Sequence, residues 1–210
     1  MNLKIYQDKE YQQFTSKLCS SKYPILGVRL PTLRLLAKQI TLNDLKKLKY
    51  FEDYMLYAFV LGNEKNWNNV VKGLDFLVPK IDNWSLCDSL VSSLKITKKY
   101  KEEMFTYVLK YQNKSTFEKR FLIVMLLRYY VKDNIKQTLE TIHDIKTGEY
   151  YVDMAIAWLL AEAMIYHPTI VIHYLQNEQN SFIVNKTISK ARESYRITNE
   201  MKEELLKYKR

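Results

Sequence analysis

Apolar residues recur at intervals of three and four along nearly the whole chain, the spacing that places them on one face of an α-helix. The sequence has only four glycines and four prolines, and it lacks the Asn-Gly and Asp-Gly pairs that tight β-hairpins favour. Both features predict a mostly helical protein. The predicted helices cover about residues 3–18, 31–40, a short segment from 41, 51–61, 66–78, a segment from 83, 97–112, 117–131, 133–145, 150–166, 168–176, 181–195 and 198–208.

The helix predicted at residues 3–18 has its own set of candidate buried side chains, namely Tyr6, Tyr11, Phe14 and Leu18. Other predicted helices are preceded by polar residues that can accept hydrogen bonds from the first free N–H groups. Two of these pairs have the three-residue spacing of a capping box. The candidate caps are Thr41 with Asp44, Asp82 or Asn83, Thr97, and Ser115 with Glu118.

A repeat of about 40 residues is visible in the positions of three large side chains. Trp84, Arg120 and Trp158 each lie near the start of a predicted helix, separated by 36 and 38 residues. This period is typical of HEAT repeats, which stack helix pairs into a curved solenoid with one concave surface. The sequence therefore predicts an all-α fold, an α-α superhelix of HEAT-like repeats forming a single domain over residues 1–210. An irregular helical bundle with coincidental spacing is the alternative.

The stretch of residues 81–95, IDNWSLCDSLVSSLK, combines two different faces. Trp84 and Asp88 are four residues apart, so they lie one above the other on a helix. The apolar positions, including Leu86 and Leu90, lie on another side. A carboxylate beside an indole and away from the core is unusual for a purely structural helix, which makes this pair a candidate functional site.

The net charge of +10 indicates an anionic partner, with nucleic acid first and an acidic membrane second. A Lys-rich cytosolic protein with a solvated surface is the alternative. Two cysteines, Cys19 and Cys87, do not make a disulfide framework, so a reducing compartment is expected. The N-terminus has no apolar signal region, and the apolar run at 121–127 is too short to cross a bilayer. We therefore expect a cytoplasmic protein without a membrane partner.

The sequence lacks the motifs of several kinds of active site, namely metal sites, phosphate-binding loops and a nucleophilic cysteine. The three histidines are scattered without a metal-binding spacing, and no glycine-rich phosphate loop is present. Nothing marks a base near Cys87, which fits better as a small buried thiol. What remains is Trp84, Asp88, Arg120 and Trp158: indoles can stack on a base or sugar, and an arginine can hold a phosphate. Each also has a structural alternative, since Trp158 fits a core, Asp88 fits a cap or a lysine pair, and Arg120 fits a pair with a nearby glutamate.

Five segments together resemble the DNA alkylation repair enzyme family, the HEAT-like repeat alkylpurine DNA glycosylases of AlkD type. Each segment is a loose match, but their order and spacing are specific, and the resemblance runs from about Phe14 to Tyr195. The matching segments are LGVRLPTLRLLAKQI, NWSLCDSLVSSL, FEKRFLIVMLLRYY, GEYYVDMAIAWLLAE and NKTISKARESYRI.

The resemblance implies an α-solenoid whose basic concave surface holds double-stranded DNA. It also implies an enzyme that excises purines made cationic by alkylation, such as 3-methyladenine and 7-methylguanine. It implies that Asp88 is the catalytic carboxylate, that Trp84 and Trp158 pack against the sugar of the lesion, and that Arg120 holds the DNA backbone. The neighbouring Lys119 is a further candidate DNA contact. A monomer without metal or cofactor is expected, cytoplasmic and associated with the nucleoid when bound to DNA.

The chain departs from the family pattern in two places. Leu18 stands where an aromatic DNA contact is expected, and Asp153 and Met154 stand where basic or amide residues are more usual. Two alternatives to the glycosylase follow: a non-catalytic protein that binds damaged or branched DNA, and a HEAT-type protein scaffold. The lysines around the candidate helices favour DNA over the scaffold, and they are Lys95, Lys98, Lys99, Lys101 and Lys119.

Overall fold

The computed structural model describes residues 2–45 and 47–210. These residues form twelve α-helices, joined in places by single turns of 3-10 helix. The α-helices are α1 (Lys9–Leu18), α2 (Leu30–Leu36), α3 (Phe51–Asn63), α4 (Trp67–Leu77), α5 (Trp84–Ser93), α6 (Lys101–Val108), α7 (Thr116–Tyr129), α8 (Ile135–His143), α9 (Tyr150–Ala163), α10 (Pro168–Asn177), α11 (Ser181–Glu193) and α12 (Asn199–Leu205). The 3-10 turns lie at Leu3–Tyr6, Leu42–Asp44, Val78–Lys80, Lys95–Lys98, Leu109–Tyr111 and Leu206–Tyr208.

The predicted all-α fold class is confirmed, since the described residues contain helices and no strand. Helices pack against their neighbours along the chain, as the repeats of an α-α superhelix do. The chain forms two compact units, Met1–Lys101 and Glu102–Arg210. The prediction of one domain over residues 1–210 stays a prediction. No helix in the described part of the chain is long and apolar enough to cross a membrane.

The first unit is built around α3, which packs against α2, α4 and α5. The residues of α3 are buried from Phe51 to Leu61, because neighbouring helices cover it on every side. Its core partners from the other helices include Leu33 of α2, Leu74 of α4 and Leu90 of α5, all without exposed surface. A central helix of this kind fixes the position of α5, which carries the Trp84–Asp88 pair.

The second unit is built around α9, which packs against both α7 and α11. Helix α7 is buried from Lys119 to Leu127, a run that includes two charged residues. Phe121, Ile156 and Ile183 contribute fully buried side chains from the three helices. The odd-numbered helices α7, α9 and α11 thus form the central layer of this unit.

The predicted caps agree with the structure at three of four places. The Asp44 carboxylate accepts hydrogen bonds from the backbone N–H and the hydroxyl of Thr41, both at 2.8 Å. Asn83 caps α5, because its side-chain oxygen accepts the N–H of Leu86 at 3.0 Å. Ser115 and Glu118 form the predicted reciprocal pair at the start of α7.

The fourth cap, one helix boundary and the position of Trp158 in its helix were predicted wrongly. Thr97 does not cap α6, because a 3-10 turn at Lys95–Lys98 intervenes and α6 begins only at Lys101. The segment 3–18 is not one helix, since Asp8 interrupts it and caps α1 by accepting the N–H of Tyr11 at 3.0 Å. Trp158 lies in the second half of α9 rather than near its start.

A buried carboxylate ties the segment before α2 to the central helix of the first unit. Glu52 is only 1% exposed, and its carboxylate accepts the N–H groups of Leu26, Gly27 and Val28 at 2.9, 2.7 and 3.3 Å. These N–H groups belong to no helix, so without Glu52 they would be buried unsatisfied. The Gln12 side chain donates to the carbonyl of Ile25 at 2.6 Å, which ties α1 to the same segment.

Candidate functional site

Helix α5 presents two chemically different faces, as the sequence predicted. Leu86 and Cys87 are fully buried against the core of the first unit. Trp84 and Asp88 are half-buried, one helical turn apart, on another side. Because Asn83 already caps the helix, Asp88 is not needed as the cap. The structural alternative of a capping role for Asp88 is therefore excluded.

The Trp84–Asp88 side of α5 faces α1 across a cavity of about 300 Å³. This volume is at the lower end of the roughly 300–1,000 Å³ typical of ligand pockets. Most of the lining is apolar or aromatic, and the acidic groups are Asp88 and Glu52. The lining residues are Tyr11, Phe14, Thr15, Leu18, Cys19, Val28, Leu30, Phe51, Glu52, Trp84, Ser85, Asp88, Ser89 and Ser92.

Two apolar side chains of α1 form an exposed wall of this cavity. Phe14 is 57% exposed and Leu18 is 50% exposed, although both were predicted to be buried. Tyr6, at 40% exposed, was also predicted wrongly, and Tyr11 is only half-buried. The reason is that α1 turns Thr15 toward the core of the unit and leaves its aromatic side facing the cavity and solvent.

Two polar groups that line the cavity, the Glu52 carboxylate and the Cys19 thiol, have structural roles. The Glu52 carboxylate is engaged by three backbone N–H groups. The Cys19 thiol is buried and donates to the Thr15 carbonyl at 3.4 Å. Burial raises the pKa of the Cys19 thiol, so a nucleophilic thiolate is disfavoured there. Asp88 also lines the cavity, and it is half-buried rather than buried. Its carboxylate can therefore act electrostatically on a molecule bound there.

Trp158 has the exposed surface that the functional interpretation requires. Its side chain is 39% exposed, whereas its neighbours Ala157 and Leu159 have no exposed surface. The structural alternative, a tryptophan packed in the core, is therefore excluded. Trp158 lies in the second unit, and Trp84 and Asp88 lie in the first.

Arg120 reaches from α7 to the first turn of α9. Its Nη1 atom donates to the carbonyl oxygen of Tyr151 at 3.0 Å, and only 7% of the residue is exposed. Tyr151 and Trp158 are seven residues apart, close to two helical turns, so they share one face of α9. Arg120 thus contacts the beginning of the helix that carries Trp158, and Trp158 lies roughly 10 Å further along that helix than Tyr151.

Lys119 is held in an ion pair rather than presented to solvent. Its side chain is 6% exposed, and its ammonium group contacts the carboxylate of Glu149, which also accepts from the Thr116 hydroxyl. These hydrogen bonds, that of Lys119 first, hold the pKa of Glu149 below its ordinary value of 4.5. The pair joins the start of α7 to the residue that precedes α9.

Glu149→Gln is expected to lower the free energy of unfolding by about 1–2 kcal/mol at pH 7, because it leaves the buried Lys119 ammonium without its counter-ion. The expected loss of stability is smaller than for a fully buried pair, because the Glu149 side chain is 39% exposed and solvent screens its charge. A depressed pKa stabilises the folded state at pH values above the unfolded pKa, so the difference should shrink as pH falls below about 4.5 and vanish only below the depressed pKa of Glu149 in the folded state.

Urea denaturation as a function of pH measures this loss. Glu140→Gln, an exposed position on α8, is the matched control and should change stability little. Equal effects of the two substitutions at pH 7 would show that the ion pair contributes nothing beyond net charge.

Asp153, a departure from the family pattern, is a structural residue. It is 5% exposed, and its carboxylate accepts the N–H of Gly148 and the side-chain amide of Asn180, each at 3.0 Å. It therefore joins the starts of α9 and α11. An acid in this position places no unpaired negative charge on the surface of the unit.

Positive charge follows α5 directly in the chain. Lys95, Lys98 and Lys99 are exposed, in and just after the 3-10 turn that follows α5.

Within residues 2–45 and 47–210, no group of three or more His, Cys, Asp or Glu side chains is arranged to hold a metal ion. Sequence reasoning missed Glu52 and Glu149, although an acid next to a long apolar run, as in FEDYMLYAFVL, was a usable signal for the first.

Comparison with known families gives a match that covers nearly the whole chain. A family model described as DNA alkylation repair enzyme matches residues 2–195. The match extends over the first compact unit and most of the second, and it includes all of the predicted site residues. No curated protein matches the chain.

Proposed function

This chain belongs to the DNA alkylation repair enzyme family, and we propose that it is a DNA glycosylase that excises cationic alkylated purines from duplex DNA. The observation that carries the proposal is the placement of Asp88. Its carboxylate lies beside the Trp84 indole at a cavity, on the side of α5 that the core does not use. Membership of the family supports an enzyme of DNA repair, and the site supports this reaction type.

The proposed reaction hydrolyses the bond between the purine nitrogen and C1′ of the deoxyribose. An alkylated purine is already positively charged, so it leaves with the bonding electrons as a neutral base and needs little acid catalysis. Positive charge then develops on the sugar, where the Asp88 carboxylate stabilises it electrostatically. Water adds to C1′ and loses a proton, which gives an abasic site and the free base.

The two indoles suit the sugar in this reaction. Aromatic faces attract cationic character and exclude water from the reacting centre. Trp84 lies one turn from Asp88, and Trp158 offers exposed surface in the second unit. We propose that Trp84 contacts the deoxyribose of the lesion. A contact of Trp158 with the sugar stays a prediction.

The basic side chains supply the contacts to the DNA backbone. A guanidinium has donors in a fork that matches a phosphate, and we propose that Arg120 contacts the DNA backbone near the start of α9, where its Nη1 atom donates to the Tyr151 carbonyl. Lys119 as a DNA contact stays a prediction, because binding a phosphate would compete with its ion pair to Glu149. The exposed Lys95, Lys98 and Lys99 are better placed for phosphates near α5.

Release of free base from methylated duplex DNA tests the proposal. The purified protein is expected to release a methylated purine faster than the spontaneous rate, and chromatography of the soluble fraction measures it. Binding should weaken steeply with salt, because phosphate contacts release counterions. Unmethylated duplex of the same sequence is the control.

The outcomes separate the proposed enzyme from a DNA-binding protein without catalysis. Tight, salt-dependent binding with no release of base would contradict the glycosylase and favour a binder of damaged or branched DNA. Absence of salt-dependent binding would contradict both.

A further inference from the structure

Asp82, which precedes the cap of α5, has no part in the reaction described above, yet both of its carboxylate oxygens accept hydrogen bonds. The Oδ1 atom accepts the side-chain amide of Asn83 at 2.6 Å. The Oδ2 atom accepts the Ser21 hydroxyl at 2.9 Å and the backbone N–H of Lys22 at 2.6 Å. Hydrogen bonds to a carboxylate are stronger than those between neutral groups. One half-buried side chain thus joins two segments that lie about sixty positions apart in the chain.

The two segments that Asp82 joins belong to opposite walls of the cavity. Ser21 and Lys22 follow the last residue of α1 by three and four positions. Asp82 and Asn83 immediately precede α5. Helices α1 and α5 both line the cavity, but Asp82 itself does not. Its hydrogen bonds therefore fix the end of α1 relative to the start of α5 from outside the site.

The bond between Asn83 and Asp82 also sets the orientation of the Asn83 amide. Asn83 is only 2% exposed, and its Oδ1 atom accepts the N–H of Leu86 in the first turn of α5 at 3.0 Å. Because its Nδ2 atom donates to Asp82, the amide cannot turn over without placing its oxygen against the carboxylate. Asp82 thus supports the cap that orients α5, and Asp88 follows that cap by five residues on the same helix.

Other contacts of α1 hold the opposite end of this helix. Gln12 donates to the Ile25 carbonyl at 2.6 Å, and Asp8 pairs with Arg29 at 2.8 Å. Both contacts fasten the beginning of α1 to the segment before α2. Asp82 fastens the other end of α1, and it does so to the start of α5.

We infer that Asp82 is a positioning residue for the proposed glycosylase reaction, which holds α5 and its Asp88 carboxylate at a fixed distance from α1 across the site. The inference rests on the proposed function and adds a residue that acts from outside the cavity. Electrostatic stabilisation of the sugar cation requires a charge held in advance where the cation develops, and a displacement of about 1 Å is costly to the rate.

Asp82→Asn tests this role because both carboxylate oxygens accept hydrogen bonds. An amide at this position has one oxygen and one NH2 group, so it meets a donor with a donor on one side and breaks one of the two links. Single-turnover release of methylated purine, at saturating enzyme, is expected to fall by roughly tenfold. The dissociation constant for the same duplex should change by less than about twofold, since the lysines proposed to hold the DNA backbone follow the far end of α5.

Asp44→Asn is the matched control. The Asp44 carboxylate also accepts two hydrogen bonds in the first unit, from Thr41, but it does not line the cavity or join its walls. This variant should change the release rate by less than about twofold. Ser21→Ala is a milder second variant, because it removes only one donor to Asp82. It is expected to slow release by roughly threefold.

The outcomes distinguish this inference from the proposed function. Release by the wild type that neither Asp82→Asn nor Ser21→Ala slows overturns the inference and leaves the glycosylase standing. Equal losses in Asp82→Asn and Asp44→Asn, or a loss explained by weaker DNA binding, also overturn the inference. Absence of release by the wild type overturns the proposed function and the inference together. If circular dichroism melts show that Asp82→Asn is unfolded at the assay temperature, Ser21→Ala alone decides.

Discussion

Asp88→Asn is expected to lower the rate of free-base release by roughly 100- to 1,000-fold, the range typical for removing one preorganised electrostatic group from an active site. Asn keeps the shape and polarity of the side chain but removes the negative charge that stabilises the developing sugar cation. Single-turnover release of methylated purine from duplex DNA, with enzyme in excess, measures the chemical step directly.

The charge-matched control is Glu10→Gln, which removes one exposed carboxylate from α1 outside the cavity. It should alter single-turnover release less than twofold. If Asp88→Asn released base as fast as wild type, Asp88 would not be the catalytic group, whatever the DNA affinity. A parallel loss in Glu10→Gln would instead indicate a general effect of net charge.

Gly27→Ala is expected to have the largest effect on stability, about 2–5 kcal/mol in the free energy of unfolding. Gly27 has φ of +85°, and a Cβ atom added there would lie 2.3 Å from the Asp8 carbonyl oxygen and 2.5 Å from the Gln12 nitrogen. The left-handed conformation costs an alanine roughly 1–2 kcal/mol, and the overpacking adds about 1–3 kcal/mol. Both neighbours are backbone atoms of the α1 region, so the helix itself must shift.

Gly148→Ala separates the two contributions. Gly148 has φ of +100°, and a Cβ atom there would meet nothing within 4 Å. It should cost only the conformational part, about 1–2 kcal/mol, in the same urea denaturation experiment. Equal losses for the two variants would show that α1 accommodates the added methyl group without strain.

The approximate number of helices could be predicted from the spacing of apolar residues in the sequence. Most helices have one clear apolar side, and the segments that connect them are short. The prediction failed for residues 3–18, where Tyr6, Tyr11, Phe14 and Leu18 were assigned to the core; the last three lie on α1. Periodicity reveals which residues share a face, but it cannot tell a core from a cavity. In α1 the aromatic side faces the cavity, and Thr15 is the buried residue.

The placement of the candidate site was predictable where its residues are close in sequence. The Trp84–Asp88 pair follows from helical spacing alone, and α5 shows both side chains half-buried on its non-core side. The partners across the cavity come from α1, some 70 positions earlier, and no local pattern connects them. Lys119 illustrates the same limit, because its charge is matched by Glu149, thirty residues away.

Helix α5 packs one side against the core and presents another side, which carries Asp88, to the cavity. Asn83 fixes the residue at which the helix begins. Each residue advances the direction of a side chain by about 100°. One residue deleted between Asn83 and Asp88 would therefore turn the acid to the buried position of Cys87 and carry Leu90 to the position of Ser89 at the cavity. The number of residues over this turn thus matters to the proposed activity, in addition to the choice of acid.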